Sequence, residues 1–301
     1  GVAVRNAEGE MQLLSGNEIG TLMAWYRIKT LFEQGVITES NRGRATLVKT
    51  FVTTEFQAAI ARRFGIGVVN TLTGFKYIGE KLRKYEEAVP TSKRADYRSL
   101  GESETRALRL EYSRFFVFGG EESYGYLGGD FVRDKDGNGS VVMFAELAAF
   151  AGSEGKKITD LLDELYFEFG VHDELNTSIV LEGAEGAARI AELSRSYSDR
   201  PPTEIDGVAV GKVRDFSRED IYDEEGDLIP KAGMLIVDLE DGRRFAVRPS
   251  GTEPKIKYYL FGKGAPEAPD LTASKREVRE GLEALWHSLS EDAHRRMEQG
   301  R

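Results

Sequence analysis

ATLVKTFVTTEFQAAIARRFGIGVVNTLTGF, residues 45–75, is the stretch that decides the fold. Ala45 to Val52 is an apolar, β-branched run, and Thr53 or Thr54 is a hydroxyl placed to cap a helix. That helix runs to Phe64 and ends at Gly65, and Ile66 to Leu72 is a second strand. Strand, helix and strand in this order predict a parallel pair joined by a right-handed crossover. In such sheets ligands bind at the carboxyl ends of the strands, and Thr73-Gly74-Phe75-Lys76 sits at such an end while opening a helix to about Glu87. A glycine at a helix start is also ordinary capping, so this turn admits both readings.

Further along, residues 89–114 are polar and read as a surface excursion with a helix from about Ser103 to Tyr112. Phe115 to Phe118 is a continuous apolar run, the mark of a strand covered on both faces. It leads into Gly119-Gly120-Glu121-Glu122-Ser123-Tyr124-Gly125-Tyr126-Leu127-Gly128-Gly129-Asp130, read as a glycine-rich loop. Five glycines there are costly in conformational entropy for a simple connector. Carboxylates accept hydrogen bonds from vicinal hydroxyls, so a polyol such as a sugar is a natural partner. The charged run Arg133-Asp134-Lys135-Asp136-Gly137 follows. Asp134, Asp136 and Asn138 are spaced like the start of a calcium loop, but its twelfth position is Ala145, which argues against calcium. Helices are expected over Asn138–Phe150 and Ile158–Gly170, burying Phe144, Leu147, Ala148, Leu161, Leu165 and Phe169. His172, without a neighbour at metal-ligand spacing, reads as structural.

On the amino-terminal side, residues 1–14 read as strand, turn at Ala7-Glu8-Gly9-Glu10, and strand. Ser15 or Asn17 then caps an amphipathic helix from about Glu18 to Glu33, with Ile19, Leu22, Met23, Tyr26 and Leu31 on its apolar face.

Past residue 176 strands dominate. Thr177–Leu181, Val208–Phe216, Met234–Leu239, Arg243–Val247 and Ile256–Phe261 are strands, with helices over Ala184–Tyr197 and from about Ser274 to Met297. This is the pattern of an α+β domain on an antiparallel sheet. Asp241-Gly242 is a hairpin turn signal, and Asp223-Glu224-Glu225-Gly226 an acidic turn. The fold class is therefore α/β plus α+β: a mixed βαβ domain followed by a smaller antiparallel-sheet domain with packed helices. The expected boundaries are 1–15 for the remnant of a preceding domain, 16–172 for the mixed domain and 173–301 for the last.

Between two of those strands lies Arg248-Pro249-Ser250-Gly251-Thr252-Glu253-Pro254-Lys255. A guanidinium, two small hydroxyls, a glycine and a lysine make a cradle for a phosphate dianion. The same octet also suits a proline-flanked turn with a solvated charge pair.

Composition narrows the partners. The 301 residues carry a net charge of −10, and lysines and arginines are scattered, which disfavours nucleic acid. Cysteine is absent, so no disulfide or thiolate metal site is available. No apolar run approaches the roughly 18 residues of a membrane span. A cytoplasmic protein is expected.

Gly120-Glu121-Glu122-Ser123 and the octet at 248–255, in this order, resemble the α-D-phosphohexomutase superfamily, the phosphoglucomutases and phosphomannomutases. Tyr124-Gly125-Tyr126-Leu127-Gly128-Gly129 and Arg133-Asp134-Lys135-Asp136-Gly137 look most like its bacterial phosphoglucomutase-type members. The resemblance spans essentially the whole chain. It implies an intramolecular phosphotransferase that interconverts hexose 1-phosphate and 6-phosphate, of glucose or also mannose, through a hexose 1,6-bisphosphate. It implies Glu121 and Ser123 on the sugar hydroxyls, with Thr73 and Gly74 facing them and Lys135 near the ligand. Arg248, Ser250, Gly251 and Thr252 would hold the phosphate that is not reacting, with Lys255 completing that loop.

The family's reacting serine and its Asp-rich Mg²⁺ loop have no counterpart here. The resemblance therefore implies that they lie in missing amino-terminal domains, and that this chain alone carries no catalytic residue or metal ligand. Where some relatives have Gly-His after the serine, this chain has Tyr124-Gly125, so no histidine base is assigned. The alternative is a standalone sugar-phosphate binding module without turnover.

Overall fold

In the computed structural model, which describes residues 1–6, 8–251 and 253–299, the decisive stretch folds in the order its pattern predicts. The chain opens with an antiparallel hairpin, β1 (Val2–Arg5) and β2 (Met11–Leu14). Ala7, expected in its turn, lies outside the described residues. Helix α1 (Gly16–Glu33) starts at a capping box, with the Ser15 hydroxyl accepting from Glu18 N–H and the Glu18 carboxylate accepting from Ser15 N–H. Strand β3 (Ala45–Thr50), helix α2 (Glu55–Arg63) and strand β4 (Gly67–Thr71) form the expected unit, with β3 and β4 parallel. β3 stops two residues early because Thr53 N–H turns back onto the Thr50 carbonyl and the two hydroxyls meet at 2.8 Å. Thr54 is the residue that caps α2.

Helix α3 (Phe75–Glu87) follows, then a short α4 (Thr91–Arg94), α5 (Glu102–Tyr112), strands β5 (Phe115–Glu121) and β6 (Gly125–Leu127), and helix α6 (Gly137–Ser153). The sheet order is β4-β3-β5-β6, parallel but for β6. β3 is buried at every position, as a strand covered on both faces must be. One of its faces packs Val48 and Val69 with Phe116 of β5 and with Phe75, Ile78, Leu82 and Tyr85 of α3.

Three expectations need correction. The glycine-rich span after Phe118 is mostly a β-hairpin, since Gly119, Gly120 and Glu121 pair with Leu127, Tyr126 and Gly125. The excursion at 89–114 is not wholly superficial, because Tyr97 and Arg109 are buried. Ala148 is exposed and Phe144 only half-buried, because α6 buries little beyond Leu147 and Ala151, and Phe169, at the end of the next helix, is also only half-buried. Asp136, part of the calcium-like spacing, caps α6 by accepting from Gly139 N–H.

The chain separates into two compact units, one of residues 1–165 with 223–227, the other of 166–222 with 228–301. The division falls within helix α7 (Ile158–Phe169), a few residues before the boundary expected at 172. The second unit holds β7 (His172–Val180), α8 (Gly183–Asp199), β8 (Glu204–Ile205), β9 (Val208–Asp215), β10 (Leu235–Leu239), β11 (Arg244–Pro249), β12 (Lys255–Lys263) and the long α9 (Leu271–Gln299). Its strands are all antiparallel, ordered β7-β12-β11-β10-β9-β8. The core joins Val237, Phe245, Val247, Ile256, Tyr258 and Leu260 to Leu193 and Tyr197 of α8 and to Leu282, Leu285 and Leu289 of α9.

The acidic turn 223–227 packs with the first unit through Lys81, which is almost fully buried and bonds Asp223, Glu225 at 3.2 Å and Asp227 at 2.5 Å. Tyr85 donates its hydroxyl to Glu225 at 3.0 Å, and Asn70 holds both oxygens of Glu224. Burial alone would lower the Lys81 pKa, but its hydrogen bonds to Asp223 and Asp227 and the charge of Glu225 raise it above the ordinary value.

Candidate functional site

The sugar-loop candidates converge in the first unit. β5 carries Glu121 to the carboxyl end of the sheet, where its Oε1 accepts from the backbone N–H of Gly74 at 2.7 Å. Gly74 holds φ at +117°, a conformation open to glycine, and this aims its N–H across the sheet's mouth at the start of α3. Thr73, half-buried, stands beside it. The Lys135 side chain lies against Gly125, where Glu121 Oε2 and the Phe75 ring also approach, and its ammonium sits 5.6 Å from the Phe75 ring centre. Lys135 pairs with Asp134 at 3.2 Å, and its backbone N–H and ammonium hold the Asp134 carboxyl below the usual range. Glu121, Gly74 and Lys135 thus share one small region, with Thr73 adjoining.

Ser123 is exposed at the tip of the three-residue turn Glu122–Tyr124 between β5 and β6. That turn is backed by α1: a side chain at Gly16 would collide with the Glu122 carbonyl, and Tyr126 donates its hydroxyl to the Gly16 carbonyl at 2.7 Å. Burial raises the Tyr126 pKa and keeps its hydroxyl a donor.

Beneath the hairpin lies a group the sequence reading passed over. Lys49 is fully buried in β3, in register with Gly120, and donates to the Thr53 carbonyl at 3.1 Å and to Glu55 at 3.0 Å. Thr53 Oγ1 in turn approaches the Gly120 carbonyl at 3.4 Å. The one signal for it was a lysine standing inside an otherwise apolar strand, a place where charge survives only if paired.

The phosphate-loop candidates belong to the second unit. Arg248 and Pro249 are the last residues of β11 and Lys255 the first of β12, so the loop proper is 250–254. Ser250 N–H closes it onto the Lys255 carbonyl at 2.8 Å. Gly251 is exposed, and Thr252 lies outside the described residues. Lys255 pairs with Glu253 at 2.6 Å and holds that carboxyl below the usual range, so its charge is already engaged. The Arg248 guanidinium, half-buried, has no hydrogen bond or ion pair among the described residues. Its cross-strand neighbour Lys257, which the sequence reading treated only as strand, has none either. Val247 and Phe245 point into the core, so alternation places Arg248 and Lys257 on the opposite face. Two like charges side by side destabilise a sheet unless an anion joins them.

No group of three or more histidine, aspartate or glutamate side chains among the described residues is placed to hold a metal. The donor set at both loops suits hydroxyls and anions.

The family model described as phosphoglucomutase/phosphomannomutase, alpha/beta/alpha domain III, matches residues 15–169. That described as the C-terminal domain of the same family matches residues 185–277. The phosphoglucomutase of Staphylococcus aureus (strain MRSA252) is 31% identical over 276 residues, covering 90% of this chain and 44% of that protein. The phosphoglucomutase of strain USA300 is likewise 31% identical, over 265 residues, 86% of this chain and 42% of its own length. Among solved structures, the open form of pp63/parafusin, a phosphoglucomutase from Paramecium, superposes with a TM-score of 0.53 at 15% identity, covering 92% of this chain and 42% of that one. The chain thus spans less than half the length of the curated relatives it matches.

Proposed function

Since the chain belongs to the phosphoglucomutase/phosphomannomutase family, we propose that it is the substrate-holding portion of a hexose-phosphate mutase. The intact enzyme interconverts hexose 1-phosphate and 6-phosphate through a bisphosphate, and the phosphoserine and Mg²⁺ belong to chain other than this one. A cytoplasmic setting and hexose 1,6-bisphosphate as intermediate are part of the same reading. The observation that carries it is the Glu121 carboxylate at the carboxyl end of the parallel strands, fixed through one oxygen by Gly74 N–H. The other oxygen is left to accept from a sugar hydroxyl, with the Ser123 hydroxyl at the adjoining tip and Lys135 alongside.

Phosphoryl transfer depends on positioning and on neutralising charge. A mutase must also present either end of its sugar to one reacting group, so the bisphosphate turns over between half reactions. A carboxylate and a hydroxyl that read ring hydroxyls, together with a cationic loop that reads a phosphate, accept both orientations. Arg248, Ser250, Gly251 and Thr252 are assigned to the idle phosphate, with Lys257 beside Arg248. Lys255 joins them only on exchanging Glu253 for the ligand. Lys49 braces the turn at Thr53 and Glu55, whose Thr53 hydroxyl approaches the Gly120 carbonyl, and does not itself reach the surface. Mg²⁺ would neutralise the reacting phosphate; the residues described here do not suit it, and no step of this chain runs through it.

Glu121→Gln tests the assignment. It keeps the shape and the Gly74 contact but removes the charge, and should weaken glucose 1-phosphate binding roughly tenfold or more, the loss of a charged hydrogen bond. Unchanged affinity by calorimetry would remove Glu121 from the site.

A further inference from the structure

Tyr124 breaks a local rule at the tip of the hairpin. It is the third residue of the turn Glu122–Tyr124, and its φ is +64°, the left-handed region that favours glycine. Three-residue hairpin turns call for a left-handed residue at this position, and glycine meets that call without strain. A tyrosine here is strained, and burial does not compensate, since its side chain is 54% exposed. The turn lies close against α1, where a side chain at Gly16 would meet the Glu122 carbonyl and the Tyr124 N–H, so it cannot shift toward the helix. A large aromatic ring is therefore displayed to solvent on a strained turn packed against α1, directly beside Ser123 and three residues from Glu121.

We propose that Tyr124 is a specificity-determining residue, a platform whose ring lies against the apolar face of the bound sugar and selects the gluco configuration. The proposal rests on the reading that Glu121 and Ser123 hold a hexose phosphate. Apart from its anomeric position, a glucopyranose carries its substituents equatorially, and the axial C–H bonds form flat apolar faces. An aromatic ring presents apolar area at low conformational cost. The axial 2-hydroxyl of mannose interrupts one such face, while the hydroxyls open to Glu121 and Ser123 remain. Carboxylate and serine alone read both sugars; the ring supplies the difference between them.

The test titrates glucose 1-phosphate and mannose 1-phosphate into the 301-residue chain, following binding by saturation-transfer NMR, which registers weak complexes. The unaltered chain should prefer glucose 1-phosphate by about three- to tenfold, the range of an aromatic face contact, with the strongest transfer to the axial ring protons. Tyr124→Gly should abolish that preference while leaving Tm no lower, since glycine relieves the strained φ; Tyr124→Phe should retain it. An undiminished preference in Tyr124→Gly overturns the platform while leaving the site reading intact. A fall in Tm with unaltered selectivity makes Tyr124 a packing residue and overturns it equally. If neither sugar phosphate gives transfer, or Glu121→Gln changes nothing, the site reading itself fails, and the platform with it.

Discussion

Arg248 and Lys257 face the same side of the sheet on paired strands with no hydrogen bond or ion pair among the described residues, Lys257 feeling only the charge of Glu253, while two other arginines of the sheet are paired. Arg214 and Arg244 on neighbouring strands share Asp238. That contrast within one sheet favours the anion cradle proposed for the octet at 248–255 over the solvated turn, and a binding measurement decides between them. Arg248→Met should weaken hexose-phosphate binding by about 1.5 to 3 kcal/mol, the scale of a charged hydrogen bond, and calorimetry with glucose 1-phosphate reads it. No change would mean that the phosphate is held elsewhere. The arginine was legible in the octet. Lys257 was not, because a strand residue shows its neighbours only when the register is known, and Arg248 opposite Lys257 is a product of pairing.

At the scale of elements, two segments were read by composition and placed by contact. Gly119 and Gly120 read as loop because glycine is poor in strands, yet both pair with β3 on one side and β6 on the other, and a side chain at Gly119 would collide with the Val48 carbonyl and the Phe116 ring. Asp223-Glu224-Glu225-Gly226 read simply as an acidic turn, and the structure folds residues 223–227 onto α3 around Lys81. Lys81→Met would leave the buried Asp223 carboxylate without its partner, so a loss of about 3 kcal/mol is expected in urea unfolding. Faster amide exchange over residues 223–227 should accompany it. The pH dependence has a definite sign. Hydrogen bonds from Lys81 hold the Asp227 carboxyl below its ordinary value of 3.8, with burial opposing. A lowered folded-state pKa gives stability that is complete above the unfolded value and lost as pH falls through the folded one. Protection of this turn should therefore persist at pH 4 and fail only in stronger acid; failure already at pH 5 to 6 would show that Asp227 is not the controlling group.

For the whole molecule, each unit has its own sheet and hydrophobic core, and each carries one candidate loop at a strand end. The proposed division of labour predicts that the 301-residue chain, given Mg²⁺ and glucose 1,6-bisphosphate, binds hexose phosphate without interconverting it. A coupled assay for glucose 6-phosphate checks this, and turnover would show that the chain holds reacting groups beyond those named. The sequence by itself determined the two fold classes, the βαβ order and both candidate loops, because periodicity, caps and turn chemistry act over a few neighbouring residues. It also contained the motifs of the family to which the chain belongs. Only the tertiary structure decided that Gly74 N–H orients Glu121, that Lys49 underlies the hairpin, that Lys257 joins Arg248 and that Lys81 gathers the acidic turn. The reason is physical: charge in a folded chain is settled by partners far away in sequence, and pairing across 47 residues, from Gly74 to Glu121, leaves no periodic trace in the sequence.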